Sequence, residues 1–317
     1  SLLARGLPIL ADLHNAVKLR EMQLKGIRPG KYVVAVSGGV DSMVLLDLLR
    51  QKPKLELIVA HFDHGIRPNS ADDRKLVQRV AKQYGLPFVY AEGKLGPKAS
   101  EALAREARYA FLRKVQEESG AEAIITAHHQ DDMLETAIMN LLRGTGRRGL
   151  TSLKSRRDVV RPLLNWTKKA IREYAEEHDL VWAEDETNDD ERYLRNYIRH
   201  NILSRFTKAG REALARHIKQ AARVNEEIDK LLEKDLDEQP SKTELSRSWY
   251  VQLPYAVATE MMAAWLRRNG ILQFDRYMIE RLVVAAKTAK PGKLADVNAQ
   301  HIIEFTKDKI ALKNRKS

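Results

Sequence analysis

A short apolar run followed at once by two glycines and a helix start constrains the fold of this chain more than any other feature. The run YVVAV at residues 32–36 is rich in β-branched side chains, which predicts a buried parallel strand. The loop SGGVDS follows at residues 37–42, and residues 41–50 have the spacing of a helix. Adjacent glycines let backbone amides approach an anion, and the positive end of the helix points to the same place. The segment therefore predicts a phosphate-binding loop.

The side chains of this loop indicate how it would hold phosphate. Ser37 and Ser42 offer hydroxyl donors, whereas Asp41 would be repelled by phosphate alone and so predicts a bridging Mg²⁺ ion. The lysine and the longer spacing of a Walker A loop are missing, as is the G-x-G-x-x-G pattern of dinucleotide sites. An ordinary glycine turn with a Ser/Asp helix cap is the alternative. The strand before the loop and the helix after it favour phosphate binding.

Three more strand–helix units follow the first. The predicted strands are residues 55–61, 87–91 and 121–127, and the predicted helices are residues 71–84, 100–118 and 131–142. Four units in series predict an α/β fold with a doubly wound parallel sheet. Ligands of such sheets bind at the carboxyl ends of the strands, where the loops 37–42, 61–70 and 128–135 lie.

The second half of the chain predicts mostly helices. They are expected near residues 166–178, 195–235, 254–269 and 275–287, and a β-hairpin is expected at residues 302–313. We expect a catalytic domain over residues 1–205. Residues 206–317 are expected to form a helical linker and a smaller, mostly helical domain that ends in the hairpin.

Composition narrows the classes of function. The chain has no cysteine, which excludes disulfides, cysteine-ligated zinc, iron–sulfur clusters and a cysteine nucleophile, and which fits a cytoplasmic location. No apolar run approaches the ~18 residues of a membrane span, so no membrane partner is expected. The formal net charge of +12 predicts a polyanionic partner, with nucleic acid the first candidate. The alternative is a basic protein whose charge only aids solubility.

Two further loops carry candidate site residues. In HFDHGIR, residues 61–67, His64 and Arg67 are candidate phosphate or adenine contacts, and an exposed loop with a capping aspartate is an equal alternative. In AHHQDDMLET, residues 127–136, Asp131 and Glu135 are four apart and share one helix face. With the histidines beside them they could hold Mg²⁺ or an ammonium group. As an alternative, one aspartate of this segment could simply interact with the positive end of the helix dipole. That explanation does not account for the two aspartates, the two histidines and the glutamate together.

These segments resemble the tRNA(Ile)-lysidine synthetases, which are PP-loop enzymes of the N-type ATP pyrophosphatase group. The resemblance rests on SGGVDS, HFDHGIR and AHHQDDMLET together with LRGTG at 142–146, RPLL at 161–164 and YLRNYIR at 193–199, in this order. It covers roughly residues 30–200. The sequence departs from the family at residues 185–188, DETN in place of the usual DPSN, and at Ser204, where proline is common.

The resemblance implies a fold like that of the adenine nucleotide alpha hydrolases and a two-step ligase reaction. ATP with Mg²⁺ would adenylate oxygen 2 of the wobble cytidine in an isoleucine tRNA with a CAU anticodon. The ε-amine of free L-lysine would then attack carbon 2 and expel AMP, giving lysidine. The implied catalytic residues are Asp41, Asp131, Asp132 and Glu135, with Asp41 and Asp131 also implied as metal ligands. The implied ATP contacts are Ser37, Gly38, Gly39, Val40, Asp41, Ser42, His61, His64, Arg67, His128, Arg143 and Gly144.

Basic residues cluster after the fourth predicted helix. Residues 143–172 hold ten Lys or Arg against one acid, and residues 192–223 hold nine against one. A tRNA backbone could follow these stretches, and the alternative is a solvated helical face. The candidate tRNA contacts are Arg147, Arg148, Arg195, Arg199, Arg205 and Arg211.

Three other functions compete with this one. A PP-loop tRNA thiolase would use cysteines, which the chain lacks. A small-molecule PP-loop amidotransferase would not need the basic stretches, and a non-catalytic AMP-binding or RNA-chaperone module would not need Asp41, Asp131 and Glu135 around one crevice. The sequence leaves open the lysine pocket and the oligomeric state, with a homodimer among the options. It also leaves open which C-terminal residues contact tRNA and whether Asp131 or Asp132 carries the metal.

Overall fold

The computed structural model describes residues 24, 27–65, 70–93, 96, 100–184 and 194–315. Contacts divide the chain into a first unit, residues 1–219, and a second unit, residues 220–317. The domain boundary expected after residue 205 stays a prediction. None of the helices in the described part of the chain is long and apolar enough to cross a membrane.

A five-stranded parallel sheet forms the centre of the first unit. Its strands are β1 (Gly30–Ala35), β2 (Leu55–Asp63), β3 (Phe88–Glu92), β4 (Ala123–Ile125) and β5 (Val159–Val160). Their order is β3-β2-β1-β4-β5, so the chain moves outward from β1 to β3 and then crosses back to β4. The strand order therefore reverses beside β1, which is where open α/β sheets bind their ligands.

The helices of this unit alternate with its strands. They are α1 (Val40–Arg50), α2 (Ser70–Gln83), α3 (Glu101–Ser119), α4 (Gln130–Leu142), α5 (Arg147–Leu150), α6 (Lys168–Glu177) and α7 (Leu194–Tyr197). A π-helical turn (Ile198–Ile202) and a 3-10 turn (Leu203–Arg205) continue α7. Phe206 then adopts an extended backbone, with ψ of 135°, so the helix expected over residues 195–235 is interrupted there.

Apolar side chains cover both faces of the parallel sheet. Successive side chains of a strand point to opposite faces. Val34 accordingly lies in a core with α1, α2 and α6, and Val33 lies in a second core with Leu112 of α3. Burial on both faces explains why β1 is a continuous apolar run instead of an alternating one. The predicted doubly wound α/β fold is confirmed.

The second unit combines helices with a four-stranded antiparallel sheet. The long helix α8 (Lys208–Asp237) begins in the first unit, and α9 (Arg247–Gln252), α10 (Tyr255–Arg268) and α11 (Arg276–Thr288) follow. The strands are β6 (Glu244–Ser246), β7 (Lys293–Asp296), β8 (His301–Phe305) and β9 (Lys309–Asn314), in the order β6-β9-β8-β7. Trp265, Tyr250 and Phe305 fill its core. The predicted terminal hairpin, β8–β9, is confirmed.

Candidate active site

A cleft of about 460 Å³ opens at the carboxyl ends of β1, β2 and β4. Residues from three separate predicted loops line it, although they are far apart in the sequence. The candidate site residues among its lining are Ser37, Asp41, Ser42, His61, His64, His128, Asp132 and Arg195. The sheet therefore brings the loops 37–42, 61–65 and 126–132 to one place.

The loop of residues 37–42 is organised by the hydroxyl of Ser42. This oxygen accepts from the backbone amides of Ser37 and Gly38, at 3.2 Å each, and donates to the carbonyl of Gly39 at 2.9 Å. Gly38 has a φ of +99°, a conformation that side-chain-bearing residues rarely adopt. The carbonyl of Gly39, the N-cap of α1, accepts from the amides of Ser42 and Met43 at 3.0 and 3.1 Å. The first two amides of a helix have no intrahelical acceptor, which leaves those of Val40 and Asp41 for a ligand. These hydrogen bonds fix the loop directly in front of the N-terminus of α1, and a helix N-terminus suits phosphate.

Asp41 lies in the first turn of α1, close to the side chains of Lys168 and His129. Its two carboxylate oxygens accept from Nζ of Lys168 at 2.8 and 2.7 Å. Nε2 of His129 lies 3.7 Å from Oδ1. Sequence reasoning did not place Lys168 in the site, because 127 residues separate it from Asp41.

The two aspartates at the start of α4 have different surroundings. Asp132 accepts from the backbone amide of His129 at 2.9 Å and lines the cleft. Burial raises its pKa, but the His129 ring and this amide outweigh burial and hold the pKa of Asp132 below its ordinary value. Asp131 instead accepts from the backbone amide of Lys168 at 2.8 Å and from Nη1 of Arg211 at 3.4 Å.

Glu135 is fully buried on the inner side of α4. Arg199 donates to both of its oxygens, with Nε–Oε1 at 2.7 Å and Nη2–Oε2 at 3.1 Å. Arg195 places Nε 3.6 Å from Glu135 and donates through Nη2 to Thr136 at 3.1 Å. Burial raises the pKa of Glu135, and Arg199 opposes that rise. Because Arg195 also lines the cleft, Glu135 helps to hold a guanidinium at the cleft wall.

Two histidines at the strand ends are held uncharged by burial. Nδ1 of His61 lies 2.9 Å from the carbonyl of Val36, and burial lowers its pKa. Nδ1 of His128 lies 2.8 Å from the hydroxyl of Thr126, and burial lowers the pKa of His128 to about 3. At neutral pH both rings therefore act as neutral hydrogen-bonding groups and not as cations for phosphate.

The cleft contains two arginines that sequence reasoning missed. Arg105 and Arg108 lie on α3, three residues apart, and both line the cleft. Their guanidinium groups lie 5.0 and 5.7 Å from the ring centroid of Tyr109. The sequence could have indicated these two arginines, because α3 begins after the carboxyl end of β3. Residues three apart in a helix also lie on one face. Together with Arg195 they give this wall positive charge.

Comparison with known proteins agrees with this geometry. A family model described as a PP-loop domain matches residues 12–206. The chain belongs to this PP-loop family. A tRNA(Ile)-lysidine synthase from Thermotoga sp. (strain RQ2) is 42% identical over 188 residues, covering 56% of this chain and 45% of that protein. One from Idiomarina loihiensis is 31% identical over 282 residues, covering 83% of this chain and 62% of that protein.

The chain therefore spans less than two thirds of the length of these relatives. Among solved structures, the U34-tRNA thiolase NcsA from Methanococcus maripaludis, with its 4Fe-4S cluster, has a TM-score of 0.52 and 18% identity. The match covers 65% of this chain and 78% of the thiolase, and it shows a shared fold.

Some candidate ATP contacts do not lie with the PP loop, residues 37–42. Arg143 and Gly144 are exposed at the far end of α4 and do not line the cleft. That helix has 13 residues, which at ~1.5 Å per residue is ~20 Å of length. Arg67 lies outside the described residues.

The candidate tRNA contacts differ in their exposure and in the contacts that they make within the protein. Arg205 is exposed in the 3-10 turn, whereas Arg211 donates to the carbonyl of Leu203 at 2.8 Å and reaches Asp131. Arg199 is paired with buried Glu135, as described above. Arg147 and Arg148 lie in the short helix α5, after Gly144.

Proposed function

We propose that this protein forms lysidine on an isoleucine tRNA with a CAU anticodon. It uses ATP to adenylate oxygen 2 of the wobble cytidine and then joins free L-lysine at carbon 2, releasing AMP and pyrophosphate. The strongest support is the PP loop, which lies at one end of a cleft whose wall carries arginines. This loop occurs in a chain that is 42% identical over 188 residues to a tRNA(Ile)-lysidine synthase. The cytoplasmic location belongs to the same proposal.

ATP binding is assigned to the PP loop. The amides and hydroxyls of residues 37–42 would hold the phosphates, and the neutral His61 and His128 rings at the strand ends would accept or donate single hydrogen bonds to the nucleoside part. The guanidinium groups of Arg105, Arg108 and Arg195 would face the remaining negative charge of the ATP phosphates.

Magnesium fits this site as an ion brought in with ATP. In the part of the chain that the structure describes, no three His, Asp or Glu side chains are grouped to hold a metal. One carboxylate plus substrate phosphates is the usual set for Mg²⁺ in ATP sites, and Asp41 offers that carboxylate. The ion would supply charge neutralisation on the phosphates. Asp131, which was also predicted as a ligand, has both oxygens within reach of donors from Lys168 and Arg211.

Adenylation solves a chemical difficulty of the second step. The carbonyl of cytosine is a poor electrophile, and an attached AMP turns its oxygen into a good leaving group. The ε-amine of lysine forms the new C–N bond as the C–O bond to AMP breaks. Asp132, ionised and beside neutral His128, provides the negative group suited to hold the α-ammonium of the incoming lysine, while the ε-nitrogen attacks as the uncharged amine. The arginines exposed beyond the cleft would meet the tRNA backbone.

Release of pyrophosphate tests this proposal. We expect release with ATP and the CAU tRNA alone, and AMP and lysidine only after lysine is added. A tRNA with uridine at the wobble position is the matched control and should give no release above background. Release without any tRNA would contradict the proposal in favour of a small-molecule substrate, and release only with lysine would contradict the stepwise order.

A further inference from the structure

The PP loop contains no lysine, yet the structure places one directly against it. Walker A loops carry a lysine that binds the phosphates of the nucleotide. Here the segment SGGVDS ends in Asp41 and Ser42. Lys168, at the first residue of α6, brings Nζ to 2.7 and 2.8 Å from the two oxygens of Asp41. An ammonium group therefore lies at the edge of the phosphate loop although no basic residue belongs to the loop.

The backbone of Lys168 is anchored to the start of α4. Its amide donates to Oδ2 of Asp131 at 2.8 Å, and the amide of Gln130 donates to the carbonyl of Trp166 at 2.9 Å. The hydroxyl of Thr167 caps α6 by accepting from the amide of Ala170 at 3.2 Å. The turn that leads into α6 is thus fixed on both sides of Lys168.

The rest of α6 is attached to α1, the helix that carries Asp41. Tyr174 of α6 donates its hydroxyl at 2.8 Å to Asp47 of α1, whose side chain is buried. Burial and Asp47 raise the pKa of Tyr174 to about 12, so the hydroxyl remains a donor. Ile171 and Ala175 add fully buried apolar contacts in the core that they share with α1. These contacts keep the side chain of Lys168 within reach of the PP loop.

We infer that Lys168 is the phosphate-binding lysine of this site. Its ammonium pairs with Asp41 in the ATP-free protein and moves to the β- and γ-phosphates when ATP binds, which frees Asp41 for the metal. The Lys168 side chain is 39% exposed and that of Asp41 27% exposed, so neither is locked in place. A lysine ammonium on a flexible stem with three donors can make such a short move. The inference rests on the ATP use contained in the proposed function.

Binding of inorganic pyrophosphate and of ATP, measured by calorimetry with Mg²⁺ but without tRNA or lysine, tests this inference. Losing one charged hydrogen-bond donor predicts that Lys168→Ala weakens both affinities by about 10- to 100-fold. AMP, which lacks the β- and γ-phosphates, should bind within about twofold of wild type. Lys168→Arg keeps the charge and should recover part of the loss.

Lys169→Ala is the matched control. Lys169 is the next residue of the same helix, its side chain is 86% exposed, and it faces Glu173 at 3.8 Å. This variant should bind pyrophosphate like wild type. Unchanged pyrophosphate binding in Lys168→Ala would overturn the inference, as would an equal loss of AMP and pyrophosphate affinity. Failure of the wild type itself to bind ATP would instead contradict the proposed function.

Discussion

The ion pair between Glu135 and Arg199 gives the sharpest test of how the cleft wall is built. Both Glu135 oxygens accept from Arg199, at 2.7 and 3.1 Å, and the Glu135 side chain is fully buried whereas that of Arg199 is 33% exposed. Removing the arginine therefore leaves a buried carboxylate beside the more distant Arg195, whose Nε lies 3.6 Å away. Removing the carboxylate leaves an arginine that water can reach.

This asymmetry sets the expected magnitudes. Arg199→Met should destabilise the first unit by about 3–5 kcal/mol, the usual cost of leaving one buried charge unpaired. Glu135→Gln keeps the volume and one acceptor, so about 1–3 kcal/mol is expected. The double variant should cost less than the sum of the two single variants, because it leaves no unpaired charge.

Hydrogen exchange of peptides from residues 130–142, followed across a urea series, is the appropriate measurement. It reports on α4, which lies within residues 1–219, the first of the two units. Equal effects of the two single variants, or strict additivity in the double variant, would refute the reasoning.

Three further predictions concern pH, salt and thermal stability. Burial lowers the pKa of His128 from 6.5 to about 3. Between these two pH values this ring therefore binds a proton in the unfolded chain but not in the folded chain. Stability should fall as the pH drops from 6.5 towards 3, by at most about 1.4 kcal/mol per pH unit from this group, and denaturant titrations of His128→Gln should show a flatter fall. When the logarithm of tRNA affinity is plotted against the logarithm of KCl concentration, Arg205→Ala should reduce the slope by about one phosphate contact. ATP affinity should not change. An unchanged slope would contradict a phosphate contact. Arg211→Ala should also lower thermal stability, because it loses the hydrogen bonds to the Leu203 carbonyl.

The central strands of the parallel sheet could be predicted because they are apolar and buried on both faces. β1 and β2 show this pattern directly, and the glycine loop marks the end of β1. The pattern fails for β5, β6 and β7, which have two, three and four residues. Segments of that length contain too few residues to show a period, and their pairing is decided by strands distant in sequence.

Side chains of the site could be predicted only where a polar loop directly follows a predicted strand. The i, i+4 spacing of Asp131 and Glu135 predicts a shared side of α4, but it carries no information about partners such as Arg199 and Lys168. The pairing of Lys168 with Asp41 spans 127 residues and arises from the packing of α6 on α1. Contacts of this kind depend on tertiary structure, so local sequence pattern does not reveal them.

The most direct test of lysidine formation is nucleoside analysis of the tRNA product. The protein is incubated with ATP, isotopically labelled L-lysine and an isoleucine tRNA transcript with a CAU anticodon, and the digested tRNA is examined by mass spectrometry. We predict one labelled lysine per tRNA, joined to the wobble cytidine through its ε-nitrogen, and none without ATP or with Asp41→Asn. Absence of label from the tRNA, or label on any other nucleoside, would contradict the account.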